Sequence, residues 1–109
     1  MDELEGLGDP AASVERTSDP SGAFVLSFVG ELDIATADGL KVVIDRLLLD
    51  NPTRVVIDLE RLSFMDSSGI ALMLQISKRV EVVETRHPTP IVRRVIEATG
   101  LSEILGLRS

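Results

Sequence analysis

Residues 54–76 read RVVIDLERLSFMDSSGIALMLQI. The segment opens on Val55-Val56-Ile57, a β-branched run of the kind buried centrally in a sheet, and the strand is expected to end near Asp58. A loop through Glu60 and Phe64 follows. Asp66-Ser67-Ser68-Gly69 then opens an apolar helix over about Ser67 to Ile76, with Asp66 as its N-cap.

Upstream, Ala12 to Thr17 reads as a short first strand. The turn cluster Ser18-Asp19-Pro20-Ser21-Gly22 joins it in a hairpin to a second strand, Phe24 to Val29, which Gly30 ends. From Ala35 to Leu49 the apolar residues Leu40, Val43, Ile44, Leu47 and Leu48 recur at helical spacing, and Asn51-Pro52 stops that helix. Downstream, Val80 to Thr85 alternates as a fourth strand; the competing reading continues the second helix through Glu84. Thr89 caps and Pro90 opens a third helix that runs to Thr99 and stops at Gly100. Leu101 to Leu107 is expected to form a final apolar turn or short helix. The order β-β-α-β-α-β-α predicts an α/β fold, a small mixed sheet of about four strands with helices packed on one side as a two-layer sandwich. Residues 1–11 read as a flexible acidic tail and residues 12–109 as a single domain.

Composition narrows the function. A formal charge of −7 without a basic cluster argues against nucleic acid and anionic membranes as partners, because phosphate binding needs grouped Lys and Arg. Three Phe with neither Trp nor Tyr leave no stacking platform for bases. With no Cys and one His, thiolate and multi-histidine metal sites are excluded, and no cofactor is expected. His87, before Pro88, reads as a solvated loop residue without a partner cluster for metal or acid–base work. The acidic N-terminus and the lack of an 18-residue apolar run point to a cytoplasmic protein.

In α/β folds sites lie beyond the carboxyl ends of parallel strands. Glu31 and Asp33 after the second strand, and Asp58, Glu60 and Asp66 after the third, meet that description. Three readings of this rim stand side by side. Asp66-Ser67-Ser68 is a helix cap and no more. Alternatively a hydroxyl at the first helical position is a phosphorylation target, where phosphate meets helix-end amides and adds about −1.5 to −2 charges. In the third, Asp33, Asp58 and Asp66 hold Mg²⁺ for phosphoryl transfer, although no phosphate-holding Lys is evident.

Gly30-Glu31-Leu32-Asp33 with Thr36-Ala37, Val55-Val56-Ile57-Asp58-Leu59, and Leu62-Ser63-Phe64-Met65-Asp66-Ser67-Ser68-Gly69 together resemble the signature of STAS-domain anti-sigma factor antagonists. Thr89-Pro90-Ile91-Val92-Arg93-Arg94-Val95 and Thr99-Gly100-Leu101 are similar to that family's third helix and its Gly-Leu end. The resemblance implies a small cytosolic bacterial binding protein, not an enzyme. Such proteins bind an anti-sigma factor of the GHKL serine-kinase type, so releasing a sigma factor. Phosphorylation of one serine by that partner switches them off, and a serine phosphatase reverses it. The phosphorylated position falls on Ser67, with Ser68 its unmodified neighbour and Asp33 and Asp66 beside the accepting hydroxyl. Partner contacts are expected from Glu31, Asp33 and Thr36 in the loop after the second strand, and from Asp66, Ser68, Gly69, Ile70 and Met73.

The stretch from Gly69 to Val82 is shorter than the family pattern and lacks its Gly-Gly turn, which implies a second helix one or two turns short or a displaced fourth strand. The same resemblance admits another reading, a STAS accessory subunit of a lipid-transporting ABC system or another unphosphorylated binding module.

Overall fold

The computed structural model describes residues 11–108; the acidic tail expected over residues 1–11 lies, Ala11 apart, outside them. Strands β1 (Ala12–Ser18) and β2 (Phe24–Leu32) form an antiparallel hairpin, with Val14 opposite Phe28. Helix α1 (Ala37–Leu47) leads to β3 (Arg54–Met65), α2 (Ser67–Arg79) to β4 (Val82–Arg86), and α3 (Pro90–Thr99) follows. β3 pairs in parallel with both β2 and β4, so the sheet order is β1-β2-β3-β4. This is the mixed α/β sheet that the element order predicted.

All three helices contribute to one core. Leu40, Val43 and Ile44 of α1, Leu72, Met73 and Ile76 of α2, and Val92 and Ile96 of α3 are buried together with Val14, Leu26, Phe28, Val55, Ile57 and Leu59 of the sheet. Because side chains alternate along a strand, the opposite face of the sheet carries Glu15, Val25, Ser27, Arg54, Asp58, Glu84 and Arg86. It is a field of ion pairs around one buried residue, Val56. Arg86 pairs with Glu84 at 2.8 Å and with Asp19 at 3.6 Å, and Arg61 with Glu15 at 3.6 Å. Hydrogen bonds from Arg86 hold the Glu84 carboxyl below its ordinary range, while the Ser21 hydroxyl does the same for Asp19.

Three expected boundaries are corrected. β2 does not end at Gly30: that residue adopts φ +98° at a shift in the β2–β3 register, and the strand resumes to Leu32. A side chain there would collide with the Ala11 carbonyl, which accepts the Glu31 N–H instead. β3 does not end near Asp58 but runs on to Met65, through a bulge opposite Phe28 that leaves Glu60 and Arg61 both exposed. The second helix extends to Arg79, past Ile76, and β4 begins at Val82 rather than Val80. The strand reading of this region holds, with the start two residues later and the end one residue later than expected. The backbone amides of Glu81 and Val82 donate to the Thr53 carbonyl, which positions the entry into β4.

The third helix has the predicted ends, Thr89 accepting from the Val92 N–H, Pro90 in first place and Gly100 as stop. Beyond it Leu105 and Leu107 return to the core. Leu107 bridges Thr85 in parallel, and the buried Thr85 hydroxyl donates to the Leu105 carbonyl at 2.7 Å.

Candidate functional site

β2 and β3 finish level with one another, Leu32 opposite Met65, and from their ends the chain enters α1 and α2. The Asp66 N–H donates to the Leu32 carbonyl at 3.2 Å, so the start of α2 is tied to the end of β2. Asp66 is extended and its carboxylate accepts the Ser68 N–H at 2.8 Å, the expected cap. Its carbonyl accepts from Gly69 and Ile70. With those amides taken, the Ser67 side chain has no structural task in the cap and is exposed to solvent.

The facing loop is equally constrained. The Asp33 carboxylate accepts the N–H groups of Ala35 and Thr36, at 2.9 and 3.2 Å. The buried Thr36 hydroxyl donates to the Glu31 carbonyl at 2.9 Å and accepts the Asp33 N–H at 3.0 Å. Both side chains are therefore spent on holding the loop, which leaves Glu31 and Ile34 exposed at its surface; Ile34 is 81% accessible. Between α1 and α2 lies an open groove of about 220 Å³, lined by Ile34, Ala37 and Lys41 on one side and Ser68, Ala71 and Gln75 on the other. Of these only Ser68 was singled out by the sequence. A lone Ile34 between Asp33 and Ala35, in the short loop before α1, was the available signal for the groove.

Not every expected contact residue reaches the surface. Met73 is fully buried and Ile70 nearly so; they pack beneath the rim. Gly69 is buried too. A methyl group on it would run into Met65 and Leu32, so glycine here lets α2 seat closely on the ends of β2 and β3. The proposed magnesium triad is also dismantled. Asp58 sits opposite Ser27, eight residues before Asp66, and at about 3.3 Å per strand residue the two lie roughly 25 Å apart along the strand. Asp58 instead meets Glu60 and His87 on the helix-free face, where ligand atoms from all three come within 4.8 Å of one another. His87 is thus not isolated: its Nδ1 is 3.7 Å from the Asp58 carboxylate.

The fold recurs in known proteins. A family model described as the STAS domain matches residues 13–109. The chain belongs to the STAS-domain family. This STAS domain is 35% identical over 74 residues to the anti-sigma-F factor antagonist RsfB of Mycobacterium tuberculosis, a match over 68% of this chain and 61% of that one, so it spans less than two thirds of that relative. It superposes on an anti-sigma factor antagonist from Mycobacterium paratuberculosis with a TM-score of 0.79 at 28% identity, covering 93% of this chain and 89% of the other. SpoIIAA, an anti-sigma factor antagonist solved in unphosphorylated and phosphorylated forms, gives TM-scores of 0.67 and 0.62 at 28% and 27% identity. Those matches cover 86% and 84% of this chain, and 83% and 86% of SpoIIAA. Among the described residues no helix is long and apolar enough to cross a membrane.

Proposed function

We propose that this STAS domain is an anti-sigma factor antagonist, a binding protein and not an enzyme, whose surface is the rim made by the β2–α1 loop and the start of α2 and whose switch is Ser67. The observation that carries this reading is the Ser67 hydroxyl, exposed at the first position of α2 directly after a cap that does not use it. Similarity to antagonists, one of them known with and without phosphate, supports it.

In this role an anti-sigma factor of the serine-kinase type docks on the rim with Glu31, Ile34 and Ser68 facing it, and a sigma factor is released. The kinase transfers the γ-phosphoryl group of ATP to Ser67 Oγ. The Oγ–P bond forms, the bond to the ADP oxygen breaks, and the hydroxyl proton leaves to solvent or to the kinase. The product carries about −1.5 to −2 charges beside the Asp66 and Asp33 carboxylates, and the N–H that Asp66 already holds is not free to receive them. Repulsion and bulk then weaken the complex without a change of fold. A serine phosphatase restores the hydroxyl and with it binding.

Intact-mass and phosphopeptide analysis after incubation with ATP and an extract of the source organism, beside Ser67→Ala, tests this. One phosphate on Ser67, absent from the variant, is expected. An unmodified Ser67 in an extract that phosphorylates other proteins overturns the switch.

A further inference from the structure

We propose that Asp58, Glu60 and His87 form a binding site for a first-row divalent transition cation of the zinc type, on the helix-free face of the sheet and midway along β3, away from Ser67. The donors come from two parts of the chain: Asp58 precedes the β3 bulge and Glu60 lies in it, and His87 follows Arg86, the register partner of Asp58 in β4. Two residues apart on the strand, Asp58 and Glu60 project from the same face, and the Asp58 carboxylate accepts the Glu60 N–H at 3.0 Å.

Charge supplies an independent reason. On this face Glu15, Asp19 and Glu84 each have an arginine partner. Among the described residues the only charged or chargeable group paired with Asp58 is His87, and Glu60 has no Lys or Arg within ion-pair distance. Two carboxylates without an arginine or lysine partner and an imidazole therefore converge on a face where Glu15, Asp19 and Glu84 are paired.

The donor set selects the metal. One imidazole nitrogen with two carboxylates suits zinc, cobalt, nickel or manganese, with water filling the remaining positions. Calcium and magnesium prefer six or more oxygens, and a single imidazole in place of one disfavours them. In a tetrahedral site with bonds of about 2.1 Å the donors stand roughly 3.4 Å apart, so closure from 4.8 Å asks for about 1.5 Å of movement. Glu60 and His87 are exposed and free to make it.

Calorimetric titration of the full chain with zinc is expected to show one site of 1:1 stoichiometry that magnesium does not fill at equal concentration. Because His87 has φ +57°, His87→Asn is the variant of choice, asparagine tolerating that backbone. His87→Asn and Asp58→Asn should each weaken zinc binding by about tenfold or more while leaving the far-ultraviolet circular dichroism unchanged. Cobalt should broaden the amide resonances of Asp58, Glu60 and His87 and spare those of Ser67 to Ile70. Absence of zinc binding, binding that both variants retain, or cobalt broadening centred on the acidic residues 2–9 overturns the site.

Discussion

On one side of β3, Val55, Ile57, Leu59 and Leu62 are sealed under three helices; on the other, Arg54, Asp58 and Glu60 meet water and their charged neighbours across the sheet. The same strand thus serves two kinds of physics. The helix side gains stability from apolar area removed from water and from close packing, where each lost methylene leaves a void. The open side gains from ion pairs screened by solvent, which contribute little singly yet dictate which charges remain uncompensated. The comparison teaches where function can sit. The rim residues proposed to meet a partner rest on the packed side and inherit its rigidity, whereas the cation site draws on what the charged side leaves unpaired.

The contrast breaks if the two sides respond alike to mutation. The largest effect is expected from Met73→Ala, which hollows the core beneath the rim and should cost about 3 kcal/mol in denaturant unfolding. Gly69→Ala fills space that Met65 and Leu32 already occupy and should cost about 2 kcal/mol. Asp66→Ala removes the acceptor for the Ser68 N–H and should cost about 1 kcal/mol, read as a lowered melting temperature with unchanged helix content.

On the open face, Glu84→Gln should cost about 0.5 kcal/mol, and the difference should shrink in high salt. Its pH dependence sharpens the comparison further. The Glu84 carboxyl is held below its ordinary value of 4.5 in the folded state, chiefly by hydrogen bonds from Arg86, so folding favours its ionised form. The stabilisation is complete above that value and is lost as pH falls below it towards the folded-state value. Unfolding midpoints of wild type and Glu84→Gln should therefore converge in acid, while the deficit of Met73→Ala persists through the same range.

Much of the architecture was legible because its signals are local. Helical spacing from Leu40 to Leu48 found α1, the β-branched run at Val55 found the centre of the sheet, and Asp66, Thr89, Pro90 and Gly100 marked helix ends by their own chemistry. The exposed serine at the start of α2 was legible for the same reason. The length of β3 was not, because Glu60, Arg61, Ser63 and Phe64 break the alternation expected of a strand. They belong to β3 only because β2 lies alongside, with Val29 opposite Arg61, Gly30 opposite Leu62 and Glu31 opposite Phe64.

By itself, then, the sequence determined the order and type of the elements, the capped start of α2 and the hydroxyl it presents, since these rest on interactions between residues a few positions apart. Tertiary structure alone decided that Ile70 and Met73 lie beneath the rim rather than on it, that Ile34 stands out from it, and that His87 joins Asp58 and Glu60 far from Asp66. Those outcomes depend on the register between strands and the seating of helices on the sheet, set by packing between segments distant in the chain.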